Sequence, residues 1–593
     1  MITRASIEER LRLMAVARGL ESADTYITGG RVVNVYSGEV IPQNVAIWGG
    51  RIAYLGSSEK MVGPRTEVME ADGFYLVPGF IDPHAHLDIL YNPTAYGESV
   101  LATGTTTVFN NSWDLSRTFT AEDYRTVVKA LAEMPLRVVS GIPAEMLAPE
   151  FGEDIDLYTQ ENVEKFLALE ESFGLAEIGA WKRLVEGDLT LLRKIEYALS
   201  LGKTVEGHTA GCKDGDLNAA VAGGLCSCHE AITAQEALDR LRLGFWVLLR
   251  NSSLRPDLPA LAKLVTEYHA DCARVMLTPD GWASAELLKK GYVDHTVREA
   301  IRLGVPPITA IQMVTRNPAT YHGLDREIGG IAPGRYADIV FVRDLEEPRP
   351  EVVLADGKKV AQNGQLLVEF PEPTYLRLAP NKYLTTPRSF VDQILPELFD
   401  IAPFMRDRES FPVMNMVNTV ISMREDVFLS DWSPTALLDA GLTMIALIDV
   451  EKRSVSNGLI KGIGAKIGGL AFSMSSADQP TVIGNSCADM AMACRRMFDI
   501  GGGIVVAEEG HIEYELPLTV GGKLSSDSTQ ELWNKLEPFF RLLADKGYRL
   551  GEPYYFLNFL TLSVVPRIKT TPLGIVDVWT GEVLVPARPM CVH

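Results

Sequence analysis

Pro83-His84-Ala85-His86-Leu87 places two histidines one residue apart, directly after the apolar run Tyr75-Leu76-Val77-Pro78-Gly79-Phe80-Ile81-Asp82. Strand side chains alternate between faces, so His84 and His86 point to one side and can reach a single cavity. Two imidazoles converging at the end of a short apolar strand are the beginning of a metal site. An HxH pair also arises by chance on solvated strands, so the remaining ligands have to come from elsewhere in the chain.

The chain has 593 residues, enough for about three or four domains, each with its own core. Its hydrophobic share of 47% and charged share of 22% place it among globular proteins rather than disordered ones. A formal charge of −21, with no run of Lys or Arg, argues against a nucleic-acid partner and leaves small-molecule chemistry as the better expectation. The segment Met1-Ile2-Thr3-Arg4-Ala5-Ser6-Ile7-Glu8-Glu9-Arg10 is charged where a signal peptide is apolar. No uninterrupted apolar run reaches the roughly 18 residues of a spanning helix. The expectation is a cytoplasmic protein with no membrane partner. Seven cysteines, an odd number spread along a long chain, fit reduced thiols in the same compartment.

An amphipathic helix near residues 6–19 precedes short β-branched runs from Thr25 to about residue 70, broken by turn signals at Ser37-Gly38, Gly49-Gly50 and Gly56-Ser57. From about residue 76 the pattern changes. Strands such as Thr105-Thr106-Thr107-Val108-Phe109 and Arg137-Val138-Val139-Ser140 alternate with helical stretches at 121–134 and 160–173, as parallel β/α units do. The β-rich style returns around Ile331 to Val342, so one β domain (1–75 and 326–370) is interrupted by a β/α domain (76–325). A proline-rich linker at 371–380 leads to a third region, 381–593, with a helix near 486–499 and hairpin signals at Gly501-Gly502-Gly503 and Glu509-Gly510.

If the β/α units form a barrel, chemistry belongs at the carboxyl ends of its strands, and polar ligands should stand there. Glu177 ends the apolar Phe173-Gly174-Leu175-Ala176, and His208 ends Lys203-Thr204-Val205-Glu206-Gly207. His229 follows Gly224-Leu225-Cys226-Ser227-Cys228, and Asp280 follows Arg274-Val275-Met276-Leu277-Thr278-Pro279. Each alone has a plain alternative as a loop carboxylate, turn residue or satisfied histidine. Four of the nine histidines at strand ends of one region make the joint reading the better one. His84, His86, Glu177, His208, His229 and Asp280 can hold two divalent cations, with Glu177 between them. His269, His295 and His322 are expected to be structural, and His511 and His593 exposed. The glycines at 462, 464, 468 and 469 miss dinucleotide spacing and are expected in a close-packed loop or strand.

With Pro78-Gly79-Phe80-Ile81-Asp82 before the histidine pair, this ligand order resembles the amidohydrolase superfamily, and within it the adenine deaminase family. The resemblance extends to Asp216-Leu217-Asn218-Ala219-Ala220, His229-Glu230 with Thr233-Ala234-Gln235-Glu236-Ala237-Leu238, Gly291 to Ile301, and Gly501-Gly502-Gly503-Ile504-Val505-Val506. It covers nearly the whole chain. It implies an α/β fold: a (β/α)8 TIM-like barrel, a split β-sandwich and a C-terminal α/β domain closing over the pocket. It also implies a homodimer or higher homo-oligomer.

The implied reaction is hydrolytic deamination of adenine or a related aminated heterocycle by a metal-bound hydroxide, with two divalent ions (Mn, Fe or Zn), all of which His/carboxylate sites accept. Asp280 would take the water's proton and return it to the leaving nitrogen. Glu230 is a second candidate proton carrier or substrate-binding group, or else a carboxylate that orients a ligand. Three departures bear on the substrate. Cys228 and Pro279 stand where the family usually shows aspartates, and Ser475-Ser476-Ala477-Asp478-Gln479 occupies the place of a His-Asp-Ser-His cluster. A second reading therefore keeps the site and opens a cyclic amide. A third, a non-catalytic assembly protein of the same fold, predicts missing ligands, and none of the six is missing.

Overall fold

The computed structural model describes residues 2–145, 156–405 and 408–590, so His593 lies outside the described residues. Eight parallel strands follow one another in chain order: β1 (Phe80–Ala85), β2 (Thr105–Asn110), β3 (Arg137–Ile142), β4 (Ser172–Ile178), β5 (Thr204–Gly207), β6 (Ser227–Cys228), β7 (Trp246–Arg250) and β8 (Val275–Thr278). They form a five-stranded sheet, β1 to β5, and a three-stranded sheet, β6 to β8. The two sheets meet at both edges. Cys226 N–H donates to Val205 O at 2.9 Å, and a parallel bridge joins Ala85 to Asp280. The architecture is that of a TIM-like α/β barrel.

The helices between these strands form for local reasons. In Ala121–Ala132 the side chain of Thr120 caps the first turn, and Tyr124, Val127, Val128 and Leu131 fall on one buried face. The expected helix at 160–173 is shorter, Gln160–Leu167, because Phe173 already belongs to β4. That strand is buried on both faces, so its apolar run shows no period of two to set it apart from a helix. Gly174 in β4 has φ 153°, and a Cβ there would lie 1.9 Å from Thr204 O, so only glycine lets β4 and β5 approach.

Residues before and after the barrel share a sheet. Ile339–Val342 pairs antiparallel with Tyr75–Pro78, which pairs parallel with Arg31–Asn34 in a seven-stranded sheet. A four-stranded sheet from the region 25–70 packs with it around Ile27, Val32, Ile47, Leu76 and Ile339. The proline-rich stretch is not free chain. Its Thr374–Leu378 turn buries Tyr375, whose hydroxyl lies 3.1 Å from Thr94 Oγ1 of the barrel.

The C-terminal region builds a nine-stranded sheet with Cys487–Asp499 packed against Gly469–Phe472. A Cβ at Gly469 would meet the Asp489 carbonyl carbon at 2.4 Å, so strand and helix backbones touch, as the sequence pattern of close-packed glycines predicts. Glu509-Gly510 is a true hairpin turn, whereas Gly501-Gly502 leads from that helix into a strand. This region sits on the barrel mouth. Asn92 Nδ2 donates to Ser525 O and Asp527 O, and a Cβ on Gly281 would lie 2.7 Å from Tyr555 Oη. Among the described residues no helix is long and apolar enough to cross a membrane.

Candidate metal centre

The carboxyl ends of the barrel strands bring the six expected ligands together. His84 lies within β1 and His86 one residue past its end; their rings are 5.1 Å apart and nearly perpendicular. Glu177 is the penultimate residue of β4, while His208 and His229 each follow the last residue of β5 and β6. Asp280 stands two residues beyond β8 with φ 55°, its N–H bonded to Thr278 Oγ1 at 2.9 Å. Thr278 also donates to His84 O and Asp82 Oδ1, so one side chain ties the first strand to the last.

Glu177 lies at the middle of the set. Its Oε2 is 2.9 Å from His208 Nδ1, 3.2 Å from His229 Nε2 and 3.9 Å from His84 Nε2; its Oε1 is 3.6 Å from His86 Nε2. Asp280 Oδ1 lies 3.3 Å from His86 Nε2 and 3.6 Å from His84 Nε2. The donor atoms fall into three groups, each within 4.8 Å: His84 with Glu177 and His229, His84 with His86 and Asp280, and His208 with His229 and Glu230. His84 Nε2 is buried with no hydrogen-bond partner and faces both carboxylates. A buried nitrogen left without a partner between two carboxylates fits a cation.

The electrostatics agree. Burial alone pushes the Glu177 carboxyl up, but bonds from His208 and His229 reverse this and hold it well below the usual carboxylate range. Burial opposes a charge on His208, yet Glu230 and Glu177 raise it to about 9. His229 goes the other way, to about 4, from burial and the charge on His84. Imidazoles share carboxylates throughout the site, a donor set that divalent cations suit.

Five supporting residues were given no role in the sequence reading. Glu206 Oε2 lies 2.9 Å from His84 Nδ1, and Asn111 bridges the site, donating to Glu206 and accepting Glu177 N–H at 2.8 Å. Asp82 accepts from His84 N–H, Thr278 and Tyr292 Oη; burial raises its carboxyl to about 7 against those bonds. Arg250, 2% exposed, donates to Glu230, to Asp280 Oδ2 at 3.1 Å and to Asp257 Oδ2 at 3.1 Å. Arg255 completes the clamp on Glu230 at 2.8 Å.

Above the ligands is a cavity of about 150 Å³. Its barrel wall includes Trp113, Asp114 and Arg117, and its far wall comes from the C-terminal region through Ser476, Tyr555 and Asn558. Ser476 Oγ donates to Asn558, and Arg117 donates to Ser476 O, so both walls are joined. Of the other histidines, His322 is buried and stacks on Phe109 with centroids 3.5 Å apart, away from the ligand set.

Comparison with known proteins matches residues 75–366 to the amidohydrolase family and residues 419–582 to the adenine deaminase C-terminal domain. The chain is 34% identical over 587 residues to an adenine deaminase of Moorella thermoacetica, covering 97% of this chain and 98% of that one. It is 32% identical to an adenine deaminase of Cenarchaeum symbiosum, covering 96% and 93%. Among solved structures, an adenosine deaminase of Xanthomonas campestris with bound zinc aligns at 16% identity and TM-score 0.45, covering 60% of this chain and 97% of that one. A β-aspartyl dipeptidase of Fervidobacterium islandicum aligns at 16% identity and TM-score 0.44, covering 58% and 98%.

Proposed function

Because the chain belongs to the adenine deaminase family, we infer that it is a hydrolase of carbon–nitrogen bonds that converts adenine and water to hypoxanthine and ammonia. The observation that carries this reading is the joint one: relatives named for this activity match almost end to end, and the ligands His84, His86, Glu177, His208, His229 and Asp280 converge at one barrel mouth. Ring opening of a cyclic amide has no comparable support.

The family uses divalent metal, and the six residues are proposed to hold two ions, manganese, iron or zinc. Such ions supply an activated water at neutral pH and polarise the ring carbon under attack. The chain does the rest. Asp280, fixed by Thr278 and Arg250, is proposed to accept the proton of the attacking water and to return a proton to the exocyclic nitrogen as ammonia leaves. Glu230 is proposed to orient His208 and His229 rather than carry protons. Burial raises its carboxyl, but Arg250, His208 and Arg255 hold it far below the range where it would exchange a proton near neutrality. The C-terminal wall excludes water from above. The cytoplasmic homo-oligomer expected from the sequence belongs to the same proposal.

Purified protein should contain about two divalent ions per chain and release ammonia from adenine, assayed beside aminopurines, hydantoins and lactams. Opening of a cyclic amide with adenine untouched would replace this reading with the ring-opening one.

A further inference from the structure

The ligands fix one end of the substrate. With the amino-bearing ring carbon over Glu177 and Asp280, the imidazole end of a purine reaches the rest of the cavity lining, which includes Trp113, Asp114 and Arg117 on the barrel side. Around the cavity most polar groups are already engaged. Asn558 accepts Ser476 Oγ and donates to Tyr554 Oη at 3.2 Å. Lys523 pairs with Asp478, and Arg117 donates to Ser476 O with Asp478 Oδ2 3.7 Å away.

Asp114 is different. It lines the cavity, and its carboxylate accepts no hydrogen bond among the described residues; burial raises this carboxyl, against the charges of Lys523, Arg117 and His86. A carboxylate left open at a cavity wall is an acceptor available to a ligand N–H. Free adenine carries such an N–H on its imidazole ring. A nucleoside carries a sugar there and has none. Trp113 lines the same cavity beside Asp114.

We propose that Asp114 determines specificity by accepting the imidazole N–H of the free base, so that the enzyme selects adenine over its N-substituted nucleosides. This rests on the deaminase reading above. The test compares kcat/KM for adenine with that for its thiazolopyrimidine analogue, in which ring sulfur replaces the N–H while the aminopyrimidine is kept. The metal-loaded wild type is expected to prefer adenine by about 100-fold. Asp114→Asn and Asp114→Ala, checked for native melting temperature, are expected to bring the two substrates close to parity, and Asp114→Glu to restore much of the preference. Wild type with no preference for the N–H, a readout that needs no variant, overturns the assignment. So does an unchanged preference in folded Asp114→Asn. Wild type that releases no ammonia from adenine overturns the deaminase reading itself, and the two failures are told apart by that one assay.

Discussion

His84 Nδ1 and Glu206 Oε2 stand 2.9 Å apart, wholly buried below the ligand cluster. The contact fixes which nitrogen of His84 faces the cavity: Nδ1 donates to Glu206, and Nε2 is left for a cation. A carboxylate behind a ligating imidazole also makes it the stronger donor.

Glu206→Gln keeps the shape and removes the charge. Metal affinity, measured by competition with a chelator, is expected to fall about 10- to 100-fold. Unchanged affinity would remove Glu206 from the metal site.

Asp280→Asn tests the proton shuttle. A general acid–base residue is worth about 10²- to 10⁴-fold in rate, so kcat for ammonia release should fall by that amount. Metal analysis of the same sample separates proton transfer from ligation: if ion content falls in step with activity, Asp280 acts chiefly as a ligand.

The convergence of the six candidate ligands was legible because a metal site would demand rare residue types at strand ends, and histidine is scarce in this chain. Glu206 was legible in principle. It stands two residues before His208 on β5, the same alternation that gave His84 and His86 a common face, but one glutamate among 77 acidic residues carries no signal alone. Arg250 and Asn111 could not be read at all, since their partners are brought together only by strand order. Tyr375 shows the opposite failure: prolines around it suggest a linker, yet tertiary burial of one aromatic ring decides the local structure.

Arg250 lies among three carboxylates, Glu230, Asp280 and Asp257, and is almost wholly buried. Arg250→Met fills the space and removes one buried partner from each of those charges, leaving Arg255 on Glu230 and Asp257. Breaking a buried pair from one side costs about 3–5 kcal/mol, so denaturant melts should show a loss of that order in the metal-free protein. A loss below about 1 kcal/mol would place the pair in the range of a surface salt bridge.

Lys569 gives a pH dependence with a definite sign. It is wholly buried, its ammonium donates to Val420 O and Phe559 O, and burial lowers its pKa from 10.5 to about 7. Between those two values the unfolded chain binds a proton that the folded chain does not. The contribution of Lys569 to stability therefore rises with pH from about 7 toward 10.5, by up to about 1.4 kcal/mol per unit, and is flat below 7, where both states are charged. Melting temperature followed from pH 6.5 to 9 should climb more steeply for wild type than for Lys569→Met. Parallel curves would sink the assignment.

Cys228 separates the chemistry of a position from its residue type. Its Sγ accepts bonds from Thr209 Oγ1 at 2.9 Å, Arg240 Nε at 3.3 Å and Glu230 N–H at 3.3 Å, between two members of the site. Burial alone raises the thiol, but the charge on Arg240 and the bond from Thr209 leave it below its usual range. Any small acceptor should serve there, which explains why a cysteine can stand where aspartate is usual. Cys228→Asp is thus expected to keep both activity and stability. Cys228→Ala removes one of the acceptors around the buried Arg240 guanidinium, which keeps Thr209 Oγ1 and the carbonyls of Glu236, Thr209 and Cys212, and should cost about 1 kcal/mol. Equal stability of the alanine and aspartate variants would mean that Arg240 is held by the Thr209 hydroxyl and the Glu236, Thr209 and Cys212 carbonyls, and that the sulfur fills space rather than accepts bonds.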